Sequence, residues 1–125
     1  MTPAAEPDAA AIAAADAVPA APPPQNVGRK DDSGKTRWDL IPWDVMASVA
    51  RVLTFGARRY GDDNWRKVPG ARRRYFAAAM RHIIAWERGE PVDPDTAESH
   101  LAHAICCLLF LAGHPEITGQ PPPTP

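Results

Sequence analysis

Between residues 81 and 103 the chain places three of its four histidines and five carboxylates: His82, Glu87, Glu90, Asp93, Asp95, Glu98, His100 and His103. Imidazole nitrogens and carboxylate oxygens are both ligands for divalent cations, and the imidazoles favour Mn²⁺ or another transition ion over Mg²⁺. His100 and His103 stand three apart, a spacing that sets two side chains next to each other on a helix. The chemistry on offer is metal-assisted attack on an anion, with a carboxylate to orient or deprotonate water.

The charge of the chain is divided in a way that suits this. Residues 29–81 hold 13 Lys/Arg against 6 Asp/Glu, whereas residues 82–116 hold 1 against 6 together with all four histidines. A cationic half would receive phosphates and an acidic, imidazole-rich half would hold the metal. Lys35, Arg58 and Arg81 are the candidates for phosphate contact, and Tyr60, Asn64 and Trp65 could frame a base by stacking and an amide hydrogen bond. Arg72, Arg73 and Arg74 read as a solvated helix start. Because cations there oppose the helix dipole, they imply a nearby anion or an acidic partner chain. Ser33-Gly34-Lys35-Thr36 is not a phosphate-binding P-loop, since the position that needs the first glycine is Arg29.

These residues need a scaffold, and the periodicity predicts an all-α one. Val45, Val49, Val52 and Leu53 form a helical stripe over about 44–59, with Gly56 inside it. A loop over 61–71 is punctuated by Gly, Asp, Asn and Pro. A second helix spans about 72–88 and is ended by Gly89 and Pro91. It carries two apolar faces, Phe76/Met80/Ile83/Ile84/Glu87 and Tyr75/Ala78/His82/Trp86, which predicts burial on both sides. The rigid acidic turn 90–95 follows. Asp95 with Glu98 three residues on resembles a capping box, so the third helix is expected from just after Asp95 to about Ala112. His100, His103, Ala104, Cys107 and Leu111 form its inward face, and His114 is expected at the surface. Trp38, Leu40, Ile41 and Trp43 are expected to anchor the segment before the first helix on the core.

Ten of the 15 prolines lie in 1–28 and 121–125. With hardly a large apolar side chain in 1–28, that Ala/Pro-rich arm is expected to be disordered, as is the tail 117–125. The folded domain is then 29–116. Three short helices make a thin core, so a small helical bundle completed by oligomerisation is expected, as a homodimer or homotetramer. Cys106 and Cys107 are adjacent in an apolar helical run and poorly placed to bridge each other, reading as reduced core residues of a cytoplasmic protein. The N-terminal Ala run is interrupted by Glu6, Pro7, Asp8 and Asp16, unlike a signal peptide or a membrane span. A net charge of about +2 over 29–116 is low for a nucleic-acid binder.

Three blocks, GKTRWDLIPW, VARVLTFGARRYGDDNW and RYFAAAMRHIIAWERGEPVDPDTAESHLAHAICCLLFL, occur in that order over residues 34–111. In this they resemble the dATP/dGTP diphosphohydrolase family of MazG-like, all-α nucleoside triphosphate pyrophosphohydrolases, common in phages and prophages. The resemblance implies hydrolysis of a purine deoxynucleoside triphosphate to monophosphate and pyrophosphate, with Mg²⁺ or Mn²⁺, in a bundle built from more than one chain. A bacterial or phage-infected cytoplasm would be its location. It also implies that Arg81-His82, Gly89-Glu90, Asp93 and His100-x-x-His103 occupy the family's motif positions. The wider MazG-like pattern has Glu-x-x-Glu on one helix and Glu-x-x-Asp on the next. Here His100-Leu101-Ala102-His103 stands at the second of these.

The expected metal set is therefore His82, Glu90, Asp93, His100 and His103, with Glu87 or Asp95 handling the attacking water and Lys35, Arg58 and Arg81 neutralising the departing pyrophosphate. Two other classes compete. An HD-type enzyme releasing intact triphosphate would need an adjacent His-Asp pair, which the sequence lacks. A non-enzymatic helical module binding structural zinc or a nucleotide would need softer ligands than this carboxylate-rich set for its zinc.

Overall fold

The structure is a computed structural model and describes residues 26–121, so the expected arm lies almost wholly outside the described residues, as do residues 122–125. Two compact units divide the chain, one ending at Leu40 and one beginning at Ile41.

In the first unit the Ser33 N–H donates to Asp31 Oδ1 at 2.9 Å and the Lys35 N–H to the Asp32 carbonyl at 3.1 Å. These close a turn in which Gly34 takes a φ of +73°. Arg37 holds Asp39 through both of its carboxylate oxygens, at 2.9 and 2.7 Å, across a 3₁₀ turn at Trp38–Leu40. Of the expected anchor, Trp38 is 67% exposed and Leu40 and Trp43 are exposed as well, while Ile41 is half-buried.

The second unit is built of helices α1 (Trp43–Tyr60), α2 (Ala71–Glu87), α3 (His100–Gly113) and a single turn α4 (Pro115–Thr118), with a 3₁₀ turn at Asn64–Lys67. Among its described residues the one departure from helix and loop is an isolated bridge between Val92 and Ser99. Asp44 in the first turn of α1 and Arg58 and Arg59 in its last turn suit the helix dipole. The helix runs straight through Gly56, around which there is open space rather than a packed neighbour. Val49 and Val52 are the buried part of its stripe and pack on Ala102 and Cys106 of α3, while Val45 and Leu53 are exposed. The Cys106 thiol donates to the Val49 carbonyl at 3.6 Å, and burial pushes its pKa up to about 12. Both cysteines are free thiols, and Cys107 is likewise raised by burial.

α2 starts after Gly70, which is left-handed. The Ala71 N–H, one of the unpaired donors of the first turn, gives its hydrogen bond to Glu116 Oε2 at 3.1 Å. The anion implied by the arginine-rich helix start is thus supplied by the chain itself, from α4. The other end closes as a Schellman motif. Left-handed Gly89 donates to the Trp86 carbonyl and Glu90 to the Ala85 carbonyl, both at 3.0 Å. Of the two apolar faces of α2, Tyr75, Ala78 and His82 are half-buried, whereas Phe76, Met80, Ile83 and Ile84 are exposed, Phe76 by 59%. Burial on both sides does not occur within one chain.

The third helix starts later than expected. Asp93 N–H donates to the Glu98 carbonyl and Ala97 N–H to the Asp93 carbonyl, both at 2.8 Å, and Ala97 is left-handed at φ +59°. That closed loop cannot also be helix. The cap is Ser99, whose Oγ accepts the Leu101 N–H at 3.0 Å, and Asp95 and Glu98 form no capping box. His114 is corrected too: it is 1% exposed, its Nδ1 accepts the Glu116 N–H at 3.1 Å, and it lies among Trp65, Tyr75 and α4. α4 also extends regular structure beyond residue 116. Among the described residues no helix is long and apolar enough to cross a membrane.

Candidate functional site

α2 and α3 pack along their length, which sets His82 near the end of one opposite His100 at the start of the other. Their Nδ1 atoms are 2.9 Å apart. The loop between them returns Asp93 to the same place, its Oδ2 4.0 Å from His82 Nδ1. One ligand atom from each of His82, Asp93 and His100 lies within 4.8 Å of the other two. Asp93 is held by its own loop, because the Asp95 N–H donates to Asp93 Oδ1 at 2.8 Å. Glu90 stands behind His100, with Oε2 3.4 Å from a buried Nε2 that has no hydrogen-bond partner.

This donor set fits a divalent cation. Two nitrogens aimed at each other leave room for one proton or one cation between them, a carboxylate closes the third side, and a second carboxylate faces the outer nitrogen of His100. Carboxylates in that outer position orient metal-binding imidazoles and raise their basicity. Burial, with the adjoining His103 and His100, holds the His82 pKa below the usual histidine value against the pull of Asp93. Burial lowers His103 as well, against Asp93. Neutral imidazole is the form that binds a metal.

His103 is part of the cluster in a different way. Its ring stacks on His82 at 4.6 Å and 14°, and its Nε2 is 2.7 Å from the Thr96 hydroxyl. From there a cleft of about 860 Å³ runs between α1 and the α2–α3 pair. Arg81 and His103 line it near the cluster, and Tyr60, Asn64 and Trp65 line it where α1 meets the 3₁₀ turn. Trp65 is also a structural corner: it stacks on Phe110 at 4.8 Å and lies over Gly113, where a Cβ would come within 3.2 Å of its ring.

The residues nominated from sequence thus divide. His82, Asp93 and His100 come together with Glu90 beside them, and Arg81, His103, Tyr60, Asn64 and Trp65 share the cleft. Glu87 and Asp95 are exposed outside the three-residue cluster, Arg58 is exposed and outside the cleft lining, and Lys35 belongs to the N-terminal unit. Sequence reasoning missed Thr96, Arg74, Tyr75 and Phe110. Arg74 and Tyr75 reach the cleft because they stand seven and six residues before Arg81 on α2, about two turns away; helical spacing from Arg81 could have found Arg74. Glu98 was taken for a cap, and instead pairs with Arg51 of α1 at 2.5 and 3.2 Å, fastening the ligand loop to the first helix.

Comparison with known proteins places these features in a family. A family model described as "dATP/dGTP diphosphohydrolase, N-terminal" matches residues 25–118. A protein named dATP/dGTP diphosphohydrolase from Salmonella phage PMBT28 is 36% identical over 84 residues, covering 67% of this chain and 28% of that protein. This chain therefore corresponds to less than a third of the length of that relative. No solved structure matches the chain. With the family model matching all the helices and the histidine–carboxylate cluster among them, the chain belongs to the dATP/dGTP diphosphohydrolase N-terminal family.

Proposed function

We propose that this chain binds a divalent metal and a purine deoxynucleoside triphosphate and hydrolyses it to the monophosphate and pyrophosphate. The observation that carries this is the junction of the His82/Asp93/His100 cluster with a cleft lined by Arg81, His103, Tyr60, Asn64 and Trp65. The name of the phage relative supports the substrate class.

In this reading His82, His100 and Asp93 would hold the metal, with Glu90, 3.4 Å from the outer nitrogen of His100, set to orient its ring. The ion, Mn²⁺ in preference to Mg²⁺ for so nitrogen-rich a set, would supply positive charge to the phosphate oxygens and make an attacking water more acidic. Water attacks the α-phosphorus, the bond to the bridging oxygen breaks, and pyrophosphate leaves. Arg81 neutralises the charge that gathers on it. Trp65 and Tyr60 give the nucleoside aromatic faces and Asn64 an amide edge. Glu87 and Asp95, expected to handle the attacking water, are exposed outside the cluster and have no part in this reading. The exposed α2 face of Phe76, Met80, Ile83 and Ile84 supports association with further copies of the chain, as a homodimer or homotetramer.

Incubating the protein with each of the four deoxynucleoside triphosphates and Mn²⁺ or Mg²⁺ tests this, with products separated by ion exchange. Monophosphate and pyrophosphate from dGTP or dATP, abolished by EDTA, is the expected result. Release of intact triphosphate, or no turnover of any of the four, would overturn it.

A further inference from the structure

Thr96 has no part in the reading above, yet its hydroxyl lies between two groups of the site. It is 2.7 Å from His103 Nε2, and it accepts the Glu98 N–H at 3.2 Å. A threonine hydroxyl has one proton and two lone pairs. One lone pair is taken by Glu98. Among the described residues the hydroxyl proton has no acceptor other than His103 Nε2. Of the two tautomers, the one that gives the hydroxyl proton an acceptor has the O–H donating into the Nε2 lone pair, which puts the ring proton of neutral His103 on Nδ1.

That nitrogen has no hydrogen-bond partner among the described residues, and His103 is a wall residue of the cleft. Stacking on His82 fixes the plane of the ring, so the direction of its free N–H is fixed as well. We propose that Thr96 is a positioning residue that locks His103 in the Nδ1–H tautomer, so that His103 offers an N–H donor to a phosphate oxygen of the nucleotide. The phosphate half of this rests on the function proposed above. The tautomer half rests on the hydroxyl's hydrogen bonds alone. No bond is made or broken at His103; it binds an anionic oxygen as a neutral donor, beside a metal held by its neighbours.

The test uses long-range ¹H–¹⁵N NMR of the full chain, with pyrophosphate as the probe. The wild type is expected to show His103 protonated on Nδ1, with that nitrogen shifting on addition of pyrophosphate. Thr96→Ser should keep both signatures. Thr96→Val should lose the single tautomer and the shift, and should lower kcat/KM for the hydrolysed nucleotide about tenfold, while Thr96→Ser stays near wild type. His103 protonated on Nε2 in the wild type, an unchanged tautomer in Thr96→Val, or a His103 Nδ1 that ignores pyrophosphate would each overturn the proposal. Should Thr96→Val not fold, the wild-type tautomer and its response to pyrophosphate decide the matter. A wild type that shows both signatures but cleaves no deoxynucleotide refutes the hydrolase reading and upholds this one.

Discussion

His82 and His100 present their Nδ1 atoms to each other across 2.9 Å, one from the last turns of α2 and the other from the first residue of α3. Two protonated rings in that position would repel at contact distance. At most one proton or one cation fits between them, and Asp93 closes the third side of the same cluster.

Removing a member of that set should remove the metal. His100→Ala and Asp93→Ala are expected to weaken Mn²⁺ binding by well over about tenfold, read by electron paramagnetic resonance of the free ion. Glu87→Ala and Asp95→Ala, outside the cluster, should bind as the wild type does. Equal loss in all four variants would show that the cluster is not where the ion sits.

Without metal the same histidines make the fold sensitive to acid. His82 and His103 both have folded-state pKa values below the usual 6.5, with burial as the first cause. Between those lowered values and 6.5 the unfolded chain binds more protons than the folded one, so stability falls as pH drops through that window. The melting temperature of EDTA-treated protein should be flat from pH 8 to 7 and decline below about 6.5. The decline should be shallower in His82→Gln.

The true start of α3 can be tested by its cap. Ser99→Ala should cost about 1 kcal/mol in urea unfolding, and Asp95→Ala next to nothing from helix capping. The opposite order would restore the helix start that the sequence pattern suggests.

Glu116→Ala should cost a similar amount, about 1 kcal/mol, because it leaves the Ala71 N–H without its acceptor and removes a carboxylate from the N-terminus of α2. Val49→Ala, at a residue only 1% exposed, should cost more, about 2 kcal/mol, or roughly 10 °C in melting temperature for a unit of this size.

How much of this was legible depended on whether a signal was local. Val49 and Val52 of the helical stripe and the Gly89 terminator are read along one helix or one turn and are seen in the structure, and the short stretch 82–100 brings His82, Asp93 and His100 of the expected metal set together. The start of α3 was misread because Asp95 and Glu98 have capping-box spacing, whereas Ala97 adopts a left-handed conformation that nothing in an alanine announces. His114 looked like a surface residue between Gly113 and Pro115, but its burial comes from Trp65 and Tyr75, 49 and 39 positions earlier. The Phe76/Met80/Ile83/Ile84 face of α2 is apolar as read, and within one chain it is exposed, because a helical period shows that a face is apolar and not what covers it. Thr96 carries no spacing signal, since its meaning comes from a histidine on the next helix.

The Schellman closure at Gly89 has a kinetic consequence. It turns the chain back so soon after α2 that His82, Asp93 and His100 are near neighbours in sequence as well as in space. Contacts between such close segments form early in folding, because little chain entropy is lost in closing the intervening loop. His82, Asp93 and His100 can then come together in an α2–α3 hairpin before α1 docks, whereas the cleft exists only once α1 has arrived. If the cluster holds a cation as proposed, the ion's site would be complete before the substrate's.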